Sequence, residues 1–124
     1  MFIDFSRKDK GSGAYYELQF CKKSVPAEEL AKGKDISYWK EDSLYFHMDE
    51  DEQFFRDYLK YFENPLSPDG SGSFCYFGIN YYTRKKTQEM LLQIEVDRPA
   101  EYEILLPWLK KAAEKHNGFY LLGI

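Results

Sequence analysis

The stretch "DEDEQFFRDYLKYF" constrains the fold of this chain more than any other. Phe54, Phe55, Tyr58, Leu59 and Phe62 recur at helical spacing and fall on one stripe, whereas strand spacing would scatter them over two faces. A helix of this length is marginal in water, so the rest of the chain must supply an apolar surface to cover the stripe. The pattern predicts a helix over residues 50–62, stopped by Asn64 and Pro65.

The flanking segments read as the strands of that surface. "SLYFHM" precedes the helix, and the chain closes on the apolar run "FYLLGI". Near the start, Tyr16, Leu18 and Phe20 alternate with Glu17 and Gln19 as in a half-buried strand, and "RKDKGSG" separates this run from "FIDF". That pairing predicts an N-terminal hairpin. A short helix follows in "SVPAEELAKGK", with Ser24 or Val25 as cap, Pro26 in the first turn and Gly33 after the end. "FCYFGINYY" and "MLLQIEV", joined through residues 84–86, predict a second hairpin, apolar enough on both faces to lie centrally in the sheet.

A last helix is expected to begin near Asp97 and Pro99 and to stop at Asn117 and Gly118. Pro107 interrupts it, yet Tyr102, Leu105, Leu106, Leu109, Ala112 and Ala113 keep helical period across the proline, so a kinked helix is expected there. These elements predict an α+β fold, a mostly antiparallel sheet with helices packed on it. From residue 43 to 124 their order is the split βαβ arrangement of ferredoxin-like folds, with the N-terminal hairpin and short helix added.

The chain of 124 residues is expected to form a single domain, residues 1–124, because its aromatic content of 19% supplies apolar surface for a core without disulfide or metal staples. Cys21 and Cys75 lack CxxC spacing and fit small packing thiols in a reducing compartment. No apolar run is long enough for a membrane span, and "MFIDFSRKDK" carries charge where a signal peptide needs its apolar stretch; a cytoplasmic location is expected.

Motifs that carry chemistry are sparse. GxSxG, P-loop, HExxH, calcium-loop and GxGxxG patterns are missing, so the expectation is a protein without catalytic residues, metal or cofactor. The aromatics of "SGSFCYFGINYY" invite comparison with RNA-binding sheets, but the leading Lys/Arg–Gly of that motif is missing. The net charge of −4 opposes binding to a phosphate backbone, despite the basic tip "TRKK".

The acids remain. Asp49, Glu50, Asp51 and Glu52 open the aromatic helix, where carboxylates can cap free amides and favour the positive end of the helix dipole by about 0.3–1 kcal/mol each. Residues 41–57 hold seven acids, among them Glu41 and Asp42, against Arg56 alone. That is a balance of −6, more than one helix start can use, and it leaves the remainder of the chain at +2. Trp39 and Tyr45 beside these acids are of the type that anchors interfaces, so Glu41, Asp42 and residues 49–52 are the candidate partner contacts, with Trp39 or Tyr45 as the anchor. A solvated helix end with no partner accounts for the same residues.

In general character the chain resembles the small acidic α+β immunity proteins of bacterial toxin–immunity systems. The resemblance rests on the short chain, "EDSLYFHMDEDE", "FCYFGINYY" and the closing "NGFYLLGI". It implies inhibition by binding, commonly of a nuclease domain with a basic active site; it assigns no residue. The alternatives are a small ligand-binding or enzymatic ferredoxin-like domain and an RNA-binding domain.

Overall fold

The computed structural model describes residues 1–7 and 14–123. Its centre is a five-stranded sheet of β1 (Ile3–Asp4), β2 (Tyr15–Phe20), β3 (Leu44–His47), β4 (Ile79–Tyr82) and β5 (Phe119–Leu122), in the order β1-β3-β2-β5-β4. Every pairing is antiparallel. The α+β class and the packing of helices on an antiparallel sheet are as the sequence predicts.

Helices cover the two faces of this sheet unequally. Strand alternation sends Tyr16, Leu18, Phe20, Leu44, Phe46, Phe119 and Leu121 to one face, where they meet α2 (Asp51–Phe62), α3 (Arg84–Asp97) and α4 (Tyr102–Lys115) in the main core. Phe54, Tyr58, Tyr61 and Phe62 are the buried positions of α2, while Phe55 and Leu59, on the same sequence stripe, are only half-buried. Cys21, Tyr81, Tyr120 and Leu122 point to the other face, against the short α1 (Ala27–Ala31). Both thiols are free.

Several expectations are corrected. The N-terminal hairpin does not form: β1 pairs with β3, and β3 inserts between β1 and β2. The connecting residues 8–13 of the expected loop lie outside the described residues. "MLLQIEV" is helix, not strand, and belongs to α3. Thr83 starts α3, its Oγ1 accepting the Lys86 N–H at 3.1 Å, and Arg98 in the left-handed region ends it. Only Thr87, Met90 and Ile94 of this helix are buried, so Leu92 and Val96, which gave the segment its strand-like look, stand in solvent.

With that strand gone, the order from residue 43 is β3, α2, β4, α3, α4, β5, which is not the split βαβ pattern. β4 lies at the sheet edge rather than the centre, its outer side bridged at Tyr81 by Leu66. α4 continues past Pro107 as one helix, as the apolar period predicts, although it starts at Tyr102, after the turn that follows Arg98. Glu103 and Pro107 are both exposed, which puts the carbonyl deprived of its partner within reach of water.

Candidate protein-binding surface

The acids singled out by sequence do not form one patch. β3, with four residues spanning roughly 13 Å, separates Glu41 and Asp42 from Asp49, Glu50, Asp51 and Glu52. At the first end Asp42 pairs with Lys22 at 2.6 Å, and its backbone carbonyl accepts the Trp108 indole N–H at 2.9 Å. Glu41 is exposed beside it. Asp42 is balanced locally by Lys22, and both acids lie at the end of β3 away from residues 49–52.

At the other end the acids do gather. A single 3-10 turn, Met48–Glu50, leads into α2, and the side chain that caps it is His47, whose Nδ1 accepts the Asp49 N–H at 3.0 Å. Glu50, the cap residue of α2, makes no side-chain hydrogen bond to the helix. It lies 3.4 Å from the terminal ammonium of Met1, which Glu101 holds at 2.7 Å. Burial lowers the pKa of that ammonium, but the Glu101 and Glu50 carboxylates outweigh burial and raise it. Asp57, Glu101 and Glu103 add charge on the α2–α4 side: after burial, Glu101, then Asp57 and Glu103, push the Tyr58 hydroxyl up. Asp49 and Glu52 are exposed, and Asp51 is half-buried.

Neither aromatic anchor proposed from sequence belongs to this surface. Tyr45 is 0% exposed and donates its hydroxyl to the Lys40 carbonyl at 2.6 Å. Trp39 stacks on Tyr45 with centroids 5.8 Å apart and meets Tyr15, on the sheet face opposite to α2. It is held there from its backbone: the Trp39 N–H donates to Glu17 Oε1 at 2.7 Å. Glu17, which alternation placed outward, is 1% exposed because residues 37–43 cross over it. Its carboxylate also accepts from Lys40 N, Ser43 Oγ and Gln19 Nε2.

A different aromatic group stands beside the acids. Phe55, one helical turn after Asp51, meets Tyr76 at 5.0 Å and Phe74 at 5.8 Å, and Tyr76 meets Phe74 at 5.1 Å. Tyr16 meets Phe55 from the sheet at 6.0 Å, and burial first, then Asp51 and Tyr76, push its hydroxyl up. Phe77, next in the chain, is 75% exposed and Tyr76 43%.

Asn80 produces that exposure. It is fully buried; its Oδ1 accepts the Cys75 N–H at 2.7 Å and its Nδ2 donates to the Cys75 carbonyl at 2.8 Å and to the Leu121 carbonyl at 3.1 Å. These bonds curl residues 75–79 into a turn instead of extending β4, and Phe77 stands at its apex. Gly123 allows the close approach: a Cβ there would sit 2.2 Å from the Tyr76 carbonyl oxygen. The preceding turn is tied as tightly, since the Ser71 N–H, then the Ser67 hydroxyl, hold the Asp69 carboxyl down at about 2. The bonds that Asp69 makes therefore persist from neutral pH well below the ordinary carboxylate range.

Among the described residues no group of three or more His, Cys, Asp or Glu side chains lies together as a metal site, and no helix is long and apolar enough to cross a membrane. Compared with protein-family models, with curated proteins and with solved structures, the chain matches none.

Proposed function

We propose that this chain is a non-enzymatic binding protein, an immunity-type inhibitor whose surface at the start of α2 receives a basic toxin or nuclease domain. The observation that carries the reading is Phe77, a large apolar side chain 75% exposed on a turn that Asn80 fixes, next in the chain to Tyr76, which meets Phe55 of α2. A large ring held out into water on a rigid support is set to enter a pocket on a partner with little further ordering. Asp49, Asp51 and Glu52, at the start of the helix whose Phe55 meets Tyr76, favour a positively charged partner and fix its orientation during approach. The contact set from sequence is thereby narrowed: the acids of residues 49–52 stay in it, Glu41 and Asp42 leave it, and Phe77 with Tyr76 replaces Trp39 and Tyr45 as anchor.

Phe77→Ser tests the reading. The ring makes no core contact, so the variant is expected to fold and melt as the wild type does. Its affinity for the purified basic protein that the wild type retains from its own cells is expected to fall roughly 30-fold, the effect of losing about 2 kcal/mol at an interface anchor. Unchanged affinity in calorimetry would refute the placement of the interface.

A further inference from the structure

Four cations of this acidic chain, Lys22, Lys23, Arg84 and Lys115, gather at the end of the sheet opposite to the start of α2. A depression of about 440 Å³ there is lined by Lys22, Lys23, Arg84, Lys115, His116 and Asn117, with no Asp or Glu in the lining. Its floor is rigid. The Cys21 N–H donates to the Gly118 carbonyl at 3.1 Å, Asn117 N–H to the Cys21 carbonyl at 2.9 Å, and Asn117 Nδ2 to the Lys23 carbonyl at 3.1 Å.

The end of α4 opens here, and its free carbonyls would ordinarily repel an anion. Arg84 removes that obstacle by donating to the Ala113 carbonyl at 2.5 Å and the Glu114 carbonyl at 2.7 Å. Lys115 has no ion pair among the described residues. Lys22 pairs with the exposed Asp42 at 2.6 Å, and Lys23 donates to the Lys34 carbonyl at 3.2 Å with the exposed Asp35 at 4.0 Å, surface contacts that a stronger anion can displace. His116 lies over the Phe20 ring at 4.4 Å and registers the local charge: burial, then Lys22, with Lys111 and Lys115 adding and Asp42 opposing, holds its pKa down.

We infer that this depression binds a small anion carrying several phosphate charges, a di- or triphosphate group. Three lysines around one depression, with Arg84 adding its charge at the helix end, exceed what a single negative charge needs, and ammonium groups hydrogen-bond to phosphate oxygens strongly. The lining contains no Phe, Tyr or Trp on which a base could stack, so the phosphates are the recognised part. The site is separate from the α2 surface and stands whether or not that surface binds a protein.

Inorganic tripolyphosphate is the probe, titrated into the full chain at constant ionic strength. Saturable one-to-one binding by calorimetry is expected, with the His116 ring resonance shifting its titration to higher pH as the anion offsets the lysines. Lys23→Gln and Lys115→Gln, both exposed, are each expected to weaken binding about tenfold, the loss of one charge-assisted hydrogen bond. Lys110→Gln, on another side of α4, is expected to leave it unchanged. The inference is overturned by non-saturable heat, by an equal loss in the Lys110 variant, or by a glutamate-rich peptide of matched charge binding as tightly.

Discussion

Glu17→Gln is expected to destabilise the fold by about 3–5 kcal/mol, because the amide group meets donors of one shared buried network where a carboxylate oxygen accepted them. Glu17 sits mid-strand in β2, 1% exposed, with Trp39 N at 2.7 Å, Lys40 N at 3.1 Å, Ser43 Oγ at 2.7 Å and Gln19 Nε2 at 3.1 Å. A carboxylate offers only acceptors to these groups, whereas glutamine turns an NH₂ toward donors and leaves at least one unsatisfied. The bonds tie residues 39–43 over the second face of the sheet, so the loss should appear first in that segment. Urea unfolding gives the magnitude, and amide exchange at Trp39 and Lys40 should accelerate in the variant. A change under ~1 kcal/mol, with those amides still protected, would mean that apolar contacts alone hold the segment down.

Phe54→Ala is expected to cost about 3–5 kcal/mol through cavity formation and lost burial. Phe54 is 0% exposed and meets Phe46 at 4.3 Å, Phe62 at 5.1 Å and Phe2 at 6.1 Å, so its removal opens the contact between α2 and the sheet. Phe55→Ala should cost clearly less, since that ring is half-buried and turns toward Phe74 and Tyr76 at the rim. Equal losses for the two in thermal or urea denaturation would show that the rim aromatics belong to the core and are not free to meet a partner.

The two phenylalanines mark how far the sequence could be read. Periodicity located α2 and its apolar stripe but could not rank Phe54 above Phe55, because the ranking depends on the sheet behind them. Strands β3 and β5 and the passage of α4 through Pro107 were legible because local pattern and tertiary packing agree there. At α3 they conflict: Leu92 and Val96 are exposed apolar residues on a helix, and their run outweighed Thr83, whose capping role was the available sign.

Glu17 looked outward because period 2 cannot tell a solvated face from one covered by a loop, and residues 32–43 hold few apolar side chains to announce the cover. The acidic surface was half legible. Asp49, Glu50, Asp51 and Glu52 are contiguous, while Glu101 and Glu103 arrive from α4 with no local signal. Phe77 was read as strand interior; the turn before β4 that expels it depends on three side-chain bonds of Asn80 that no spacing rule encodes.

The acids at the start of α2 serve either the helix or a partner, and the two roles separate in kinetics. Asp49→Asn with Glu52→Gln is the suitable pair, since Glu50 is engaged with the terminal ammonium and Asp51 is half-buried. The measurement is the association rate with the purified basic partner at low and at high salt. Steering by these carboxylates should make the double variant associate about tenfold more slowly than wild type at low ionic strength and nearly as fast at high, with dissociation and melting temperature almost unchanged. Equal association rates at low ionic strength, together with a lowered melting temperature, would contradict a partner-binding role and leave the four acids as the solvated opening of a helix.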